Sequence, residues 1–273
     1  MGTVITLTTD FGTSDAYVAA MKGVILGINP EARLVDICHT IEPQNIAQAA
    51  YILGTVYEFF PRRSIHVVVV DPGVGTERRP VFLRTPEADF IAPDNGVLSY
   101  VIEKYSIQPV DSRQAKLDTT KAAAIHLTES KFWLEEVRPT FHGRDIFAPV
   151  AAHLSLGTQP DEFGEAIDSL VVLPSLKPCR EYDGTIVGQV LHIDRFGNLI
   201  TSIKESDLPG NTEELIIDIN GRQINGIVKT YADSGDLCAL IGSSGYLEIA
   251  LTDGNAADNT GASAGDAVRV RTP

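Results

Sequence analysis

The feature that most constrains the fold is the run from His66 to Val70, in which four consecutive valines follow one histidine. A strand with one face in water alternates apolar and polar residues, whereas this run is apolar on both faces. Such strands are typical of the centre of a parallel sheet that helices cover on both sides. Apolar residues elsewhere in the first ~170 residues alternate between strand and helix spacing, which predicts a Rossmann-like α/β domain. The expected strands are 4–9, 33–37, 64–70, 81–84 and 90–92, and the expected helices are 15–28, 46–59 and 145–156.

Local signals refine these elements. Ser14 or Thr13 is expected to cap the first helix, and Asn29-Pro30 is expected to end it. Near residue 173 the helical spacing fades, and two prolines within five residues predict a linker. We therefore predict an N-terminal α/β domain over 1–172, a linker over 173–180 and a small all-β, barrel-like domain over 181–273. Its expected strands are 185–192, 215–219, 223–229, 237–241, 246–251 and 267–270.

The net charge and the cysteines of the chain indicate which partners it can bind and in which compartment it works. The chain has 22 basic against 36 acidic residues, a formal charge of -14, which repels a phosphate backbone and disfavours nucleic-acid binding. An acidic surface instead suits a cationic small molecule. The cysteines, Cys38, Cys179 and Cys238, form no CxxC pair, which favours a reducing compartment and a cytoplasmic protein. No apolar run approaches the ~20 residues of a membrane span.

Polar residues cluster directly after the predicted strands, where open α/β sheets bind their ligands. Asp10 and Asp15 follow the first strand, His39 follows the second, and Asp71 and Arg78 follow the third. The three aspartates also have a structural interpretation, since aspartates cap helices and open turns before proline. Gly73-Val-Gly75 is only a partial dinucleotide fingerprint. A metallohydrolase is a further alternative, but no HxH, HxxxH or DxD spacing supports a metal site.

Six motifs follow one another along the chain: Thr8-Thr-Asp-Phe-Gly-Thr13, Val70-Asp-Pro-Gly-Val-Gly-Thr76, Ala92-Pro-Asp-Asn-Gly96, Thr140-Phe-His-Gly-Arg-Asp145, Phe196-Gly-Asn198 and Gly242-Ser-Ser-Gly-Tyr-Leu-Glu-Ile-Ala250. In this order they resemble the S-adenosyl-L-methionine (SAM) hydroxide adenosyltransferases, or SAM hydrolases, which are related to fluorinase and chlorinase. The resemblance spans both predicted domains. It implies hydrolysis of SAM to adenosine and L-methionine by in-line attack of an activated water on ribose C5′, with no cofactor and no metal.

The resemblance also implies roles for residues. Asp71, Arg78 and His142 match the trio that sets the nucleophile. The halogenating relatives have a tyrosine at the position of Asp71, because a carboxylate would repel a halide, so Asp71 favours hydrolysis. The other matched positions are expected to bind substrate: Asp10 at the ribose hydroxyls, Asp15 near the methionine ammonium, Asp194 and Asn198 at the methionine end, Ser243 and Ser244 at the methionine carboxylate, and Tyr246 with the Asn255-Ala256 turn at the adenine edge.

The chain departs from the fluorinase pattern at three places. The spacing from Asp194 to Asn198 is one residue shorter, Ser244 replaces an arginine, and Gln44 stands where fluorinase has a tryptophan. The resemblance further implies a homotrimer in which each site forms between the N-terminal domain of one subunit and the C-terminal domain of the next. Two alternatives remain, namely a non-catalytic sensor of SAM or adenosine and a SAM-dependent halogenase.

Overall fold

A computed structural model describes residues 2–109, 113–174 and 177–273, which form two compact units, Met1–Pro174 and Ser175–Pro273. The boundary lies within 173–180, the segment predicted as a linker, and residues 175–176 of that segment lie outside the described residues. Cys179–Arg180, at the end of the same segment, is a short strand that pairs with the strand Ile186–Ile193.

The first unit contains ten strands and four α-helices among its described residues. The strands are β1 (Val4–Thr9), β2 (Arg33–Cys38), β3 (Ile65–Val69), β4 (Pro80–Arg84), β5 (Asp89–Pro93), β6 (Ser106–Pro109), β7 (Gln114–Leu117), β8 (Ala123–Leu127), β9 (Gly164–Ile167) and β10 (Ser169–Val171). The helices are α1 (Tyr17–Ile28), α2 (Ile46–Val56), α3 (Ser99–Ile102) and α4 (Ala148–Ser155), with a π-helical turn over Gly143–Phe147 and 3-10 turns over Tyr57–Phe59, Ser130–Phe132 and Pro160–Phe163.

The main sheet has seven strands in the order β2-β1-β3-β5-β4-β8-β9. Strands β2, β1, β3 and β5 are parallel, which confirms the predicted parallel sheet, whereas β4, β8 and β9 continue it in antiparallel fashion. The change of direction follows from the short β4–β5 connection, where Thr85 N donates to Ala88 O at 2.9 Å, because so short a loop joins only antiparallel strands. A separate three-stranded sheet has the order β10-β7-β6.

Strand β3 lies at the centre of the first unit and is buried on both faces, as the valine run predicts. Val68 and Val70 pack into the core shared with α2 and α3, while Val67 and Val69 pack into the core shared with α1 and α4. His66 is fully buried among aromatic rings, stacked on Phe90. Burial lowers the pKa of His66 to about 4, so this imidazole is neutral at physiological pH.

The start of α1 differs from the sequence prediction. The helix begins at Tyr17 after Ala16, and no side chain caps it, so the expected cap by Ser14 or Thr13 is wrong. The preceding loop is held from the other side, because Gly12 N donates to His39 O at 2.7 Å. The end of α1 at Asn29 is as predicted.

The second unit is built on one antiparallel sheet. Its elements are β11 (Cys179–Arg180), β12 (Ile186–Ile193), β13 (Leu199–Lys204), β14 (Ile216–Ile219), β15 (Arg222–Asn225), β16 (Leu237–Ile241), β17 (Tyr246–Leu251), β18 (Ala267–Arg271) and the short helix α5 (Ala256–Thr260). The strand order is β15-β14-β18-β12-β13-β17-β16. The two ends approach each other, since Val228 N, just after β15, donates to Ala239 O in β16 at 2.8 Å. The unit is therefore barrel-like, as predicted.

The longest helix among the described residues, α1, has 12 residues, and no described helix is long and apolar enough to cross a membrane.

Candidate active site

The carboxylate of Asp71 lies directly beyond the carboxyl end of β3 and binds Arg78 through both oxygens. Arg78 Nε donates to Asp71 Oδ1 at 2.9 Å, and Arg78 Nη2 donates to Oδ2. The Asp71 and Arg78 side chains are only 5% and 9% exposed, so the pair is largely desolvated. Asn95 Nδ2 donates to Val70 O at 2.9 Å and thereby fixes the peptide just before Asp71. This bidentate geometry is the strongest form of ion pair that arginine makes.

Gly75 lets a second loop approach the turn that follows Asp71. Its φ of +77° lies in the left-handed region, and a Cβ there would meet Pro139 O at 2.5 Å. Any other residue would be strained and would push the two loops apart. The glycine of the motif therefore brings the 139–142 segment next to Arg78.

His142 lies at the end of that segment and completes the trio. Its Nδ1 lies 2.8 Å from Arg78 Nη2. Because a guanidinium only donates, Nδ1 must accept, and neutral His142 carries its proton on Nε2. Burial and the adjacent Arg78 lower the pKa of His142, which favours this neutral form. The structure thus joins Asp71, Arg78 and His142 in one hydrogen-bonded group.

The backbone after His142 is a π-helical turn, whereas the sequence predicts one regular helix over 145–156. The reason is Pro149, which has no N–H to donate to the carbonyl of Asp145. Ala148 N donates to Gly143 O instead, and Asp145 O accepts from Leu134 N at 2.9 Å. The buried Asp145 carboxylate also accepts from Arg138 N at 2.8 Å, which anchors the segment that carries His142.

Arg78 retains one donor within this group. Its guanidinium carbon lies 5.3 Å from the centre of the Phe147 ring, and Nη1 is buried without a hydrogen-bond partner among the described residues. Buried donors of this kind are normally satisfied by water or a ligand. The trio can therefore hold a small polar molecule.

Asp10 shares the sheet edge with Asp71. Thr9 in β1 lies opposite Val69 in β3, so both carboxylates follow the ends of neighbouring parallel strands. Asp10 Oδ2 accepts from the backbone N–H of Gln44 at 2.7 Å, and Gln44 has a φ of +67°. Gln44 thus contacts Asp10 through its main chain. Asp15 lies in the exposed segment before α1.

In the second unit, the Asp194 carboxylate organises the loop between β12 and β13. Its Oδ1 accepts from the N–H groups of Phe196 at 2.8 Å and Asn198 at 2.9 Å, and Oδ2 accepts from Asn198 Nδ2 at 3.0 Å. Both predicted binding residues of this loop therefore contact each other.

The Asn255-Ala256 turn packs against the same loop. Ala257 N donates to Gly197 O at 3.0 Å, and a Cβ on Gly197 would lie 2.2 Å from the Asn255 side chain. Asn255 accepts from Asp258 N and caps α5, and Ala256 is fully buried. The glycine of the Phe-Gly-Asn motif is thus needed for close approach.

The other predicted residues of the second unit lie at the start of β17 and in the turn before it. Ser243 and Ser244 are exposed in the β16–β17 turn, and Tyr246 begins β17 opposite Lys204. Leu199, which follows the Asp194 loop, pairs instead with Ile249. The structure therefore places the Ser243–Ser244 turn and the Asp194 loop at opposite ends of the β13–β17 pair.

The sequence prediction missed a carboxylate between these two groups. Glu248 is 7% exposed and accepts from the Tyr231 hydroxyl at 2.7 Å. Burial and the nearby Asp194 raise the pKa of Glu248, and the bond to Glu248 raises the pKa of Tyr231 to about 12. The available signal was a glutamate inside the otherwise apolar run of β17.

Within residues 2–109, 113–174 and 177–273, no three His, Cys, Asp or Glu side chains are grouped so that they could hold a metal ion.

The fold and the trio define a class of enzyme in which a buried carboxylate–guanidinium–imidazole group stands at the carboxyl edge of a parallel sheet, followed by a β-barrel-like unit. The family model for the SAM hydroxide adenosyltransferase N-terminal domain matches residues 5–164, and the model for the C-terminal domain of that family matches residues 188–269. The chain belongs to the SAM hydroxide adenosyltransferase family.

Individual proteins agree with this assignment. The chain is 38% identical to an (R)-S-adenosyl-L-methionine hydrolase of Methanocaldococcus jannaschii, over 93% of this chain and 90% of that protein. It is 35% identical to the enzyme of the same name from Salinispora tropica, over 97% of each chain. A fluorinase of Actinoplanes is 29% identical, over 90% of each chain. A crystal structure of an uncharacterised conserved protein from Thermotoga maritima superposes with a TM-score of 0.86 at 33% identity, covering 97% of this chain and 99% of that one.

Proposed function

We propose that the protein hydrolyses SAM to adenosine and L-methionine. The observation that carries this proposal is the assembled trio of Asp71, Arg78 and His142 at the sheet edge, in a chain whose relatives include enzymes named as SAM hydrolases. Asp71 also separates this chain from a halogenase, because a buried carboxylate at the nucleophile repels a halide ion.

The chemistry needs little beyond a positioned nucleophile. C5′ of the ribose bears a sulfonium, so its displacement releases a neutral thioether and requires no acid to assist the leaving group. The protein must hold one water in line with the C5′–S bond and make its oxygen more nucleophilic. A buried hydrogen-bonding group with spare donor and acceptor positions does this.

The tautomer of His142 supports the following division of roles in the trio. Since Nδ1 accepts from Arg78, neutral His142 can only donate from Nε2, and it orients the water by donating to its oxygen. Asp71 then remains as the group that accepts the proton, because each carboxylate oxygen has a second lone pair beyond the one used by Arg78. Arg78 positions both partners, and its spare Nη1 supplies a further donor.

Substrate binding is assigned to residues of both units. We assign Asp10, whose carboxylate accepts from Gln44 N, to the ribose hydroxyls, because a carboxylate can accept hydrogen bonds from both. The net charge of -14 favours a cationic sulfonium substrate. The remaining assignments are Asp15 to the methionine ammonium, Asp194 and Asn198 to the methionine end, Ser243 and Ser244 to the methionine carboxylate, and Tyr246 and Ala256 to the adenine edge.

We further propose a cytoplasmic homotrimer whose sites combine the N-terminal unit of one subunit with the C-terminal unit of the next. The division of the proposed site residues between two units supports shared sites, and the unpaired cysteines support a reducing compartment. Asp71→Ala and Asn198→Ala disable different units, so mixed trimers of the two variants should regain activity that neither has alone. Full activity in a monodisperse monomer would contradict shared sites.

The decisive experiment for the function is incubation of the purified protein with SAM in chloride-containing and chloride-free buffers, followed by HPLC. We expect adenosine and methionine in both buffers, and formation of both slowed by ~10²–10⁴-fold in Asp71→Asn. Recovery of unchanged SAM, together with binding of SAM or adenosine in a separate titration, would instead identify a sensor. Formation of 5′-chloro-5′-deoxyadenosine would identify a halogenase.

A further inference from the structure

We propose that His39 is a positioning residue that fixes the Asp10–Gly12 loop, and with it the carboxylate assigned to the ribose. The part of this inference that concerns ribose binding rests on the proposed function. His39 is 8% exposed and follows β2, next to the end of β1. It contacts the loop in two ways, through its main chain and through its ring.

The contacts of His39 converge on two successive peptide groups. Its carbonyl accepts from Gly12 N at 2.7 Å. Its Nδ1 lies 2.8 Å from Thr9 Oγ1, and the same hydroxyl oxygen accepts from Phe11 N at 3.3 Å. Thr9 and Phe11 flank Asp10 directly. The Thr9 side chain before the carboxylate, and the Phe11 and Gly12 N–H groups after it, are thereby tied to His39.

A surface ion pair sets the direction of these hydrogen bonds. Lys22 Nζ donates to Asp36 Oδ2 at 2.6 Å, and Asp36 Oδ1 lies 3.0 Å from His39 Nε2. The Nε2–H bond does not point straight at that oxygen, so this contact is chiefly electrostatic. A neighbouring carboxylate nevertheless favours the proton on Nε2. Nδ1 then accepts from the Thr9 hydroxyl, whose oxygen is left to accept from Phe11.

Strand β1 also contains Thr6, which bonds a second buried histidine away from the Asp10–Gly12 loop. Thr6 Oγ1 lies 2.8 Å from His66 Nδ1, in the buried centre of the sheet. The Nε2 of His66 has no hydrogen-bond partner among the described residues, and neither residue adjoins the Asp10 loop. Thr6–His66 therefore represents a purely structural threonine–histidine pair, against which Thr9–His39 can be compared.

The test uses two isosteric substitutions on β1, Thr9→Val and Thr6→Val, in the full-length protein. Each removes one buried hydroxyl, so urea unfolding should give similar losses of stability for both. We expect Thr9→Val to raise the KM for SAM and the Kd for adenosine about tenfold, the usual effect of one lost hydrogen bond, with kcat within about threefold. Thr6→Val should leave KM, Kd and kcat at their wild-type values.

The ring of His39 is tested by two further variants. His39→Ala should raise KM and Kd as Thr9→Val does. His39→Asn should restore most of the affinity, because an asparagine oxygen can take the place of Nδ1 and accept from Thr9. Equal KM values for His39→Asn and His39→Ala, both far above wild type, would overturn the role assigned to the ring.

A measurement without substrate separates this inference from the proposed function. Hydrogen–deuterium exchange of the peptide containing Phe11 and Gly12 should be faster in Thr9→Val and His39→Ala, and unchanged in Thr6→Val. Equal exchange in Thr9→Val and Thr6→Val would overturn the positioning of the loop by His39. Failure of the wild-type protein to bind adenosine or to hydrolyse SAM would contradict the proposed function, while the exchange result would still decide whether His39 fixes the loop.

Discussion

Replacing Asp71 with asparagine should damage stability and catalysis together, for separable reasons. The Asp71 and Arg78 side chains are 5% and 9% exposed, so Asp71→Asn leaves a guanidinium with little access to water and no counter-charge. Breaking a buried ion pair on one side typically costs about 3–5 kcal/mol of unfolding free energy. Loss of the proton acceptor should slow hydrolysis by ~10²–10⁴-fold, which is about 3–5 kcal/mol of barrier.

A double variant separates the two effects. In Asp71→Asn/Arg78→Gln both charges are absent, so most of the lost stability should return, since no unpaired charge then stays buried. Hydrolysis should stay low, because no carboxylate is restored. Unfolding followed by circular dichroism in urea and HPLC of adenosine formation measure the two quantities independently.

A second ion pair provides the control. Arg84 binds Asp89 through both oxygens, at 2.8 and 2.7 Å, in the β4–β5 hairpin away from the trio. Asp89→Asn should destabilise the protein and leave kcat unchanged. Hydrolysis by Asp71→Asn at nearly the wild-type rate would refute the role of Asp71 as proton acceptor, as would recovery of rate in parallel with stability in the double variant.

Three further predictions concern protons and metal. The pKa of His142 is lowered from 6.5, so kcat should be level from about pH 7 to 9 and fall only below about pH 6.5, because a protonated Nδ1 no longer accepts from Arg78. A kcat that rises on acidification would contradict this prediction. Burial lowers the pKa of His66 to about 4, so the unfolded state binds more protons than the folded state between pH 6.5 and 4. Urea unfolding should therefore show a loss of about 3 kcal/mol of stability over that range in the wild-type protein, but not in His66→Gln. EDTA should leave the rate of SAM hydrolysis unchanged in HPLC assays, because no phosphate or carbonyl charge develops that a metal would stabilise. Loss of rate with EDTA, and its recovery with a divalent ion, would support a metallohydrolase.

Much of the parallel half of the first unit could be predicted from apolar spacing. The valine run fixes β3 as a strand buried on both faces, and Val4–Thr9 has the predicted bounds of β1. Spacing gives the buried faces of a strand, but not its neighbour or its direction. The order β5-β4-β8 and the antiparallel direction of β4 depend on the turn at Thr85 and on packing, which periodicity does not encode. Strand β13, which follows the Asp194 loop, was missed altogether.

The trio illustrates the same limit at the level of single residues. Position after a strand singled out Asp71 and Arg78, whereas His142 is 64 residues from Arg78 and was assigned only through resemblance to a family. The tautomer of His142 depends on a contact between two loops, and that contact depends on the close approach at Gly75. Neither local composition nor spacing carries this information.

The anchoring of the His142 segment on Asp145 has an optical consequence. The chain contains a single tryptophan, Trp133, next to Leu134, whose N–H bonds Asp145 O. Its indole packs on the core shared by α1 and α4, with Nε1 buried and without a hydrogen-bond partner in the described chain. Emission excited at the red edge of the tryptophan absorption band, where the eight tyrosines absorb little, therefore originates from this one indole. A stopped-flow fluorimeter would report through this indole whether the surroundings of the His142 segment change when the protein is mixed with SAM.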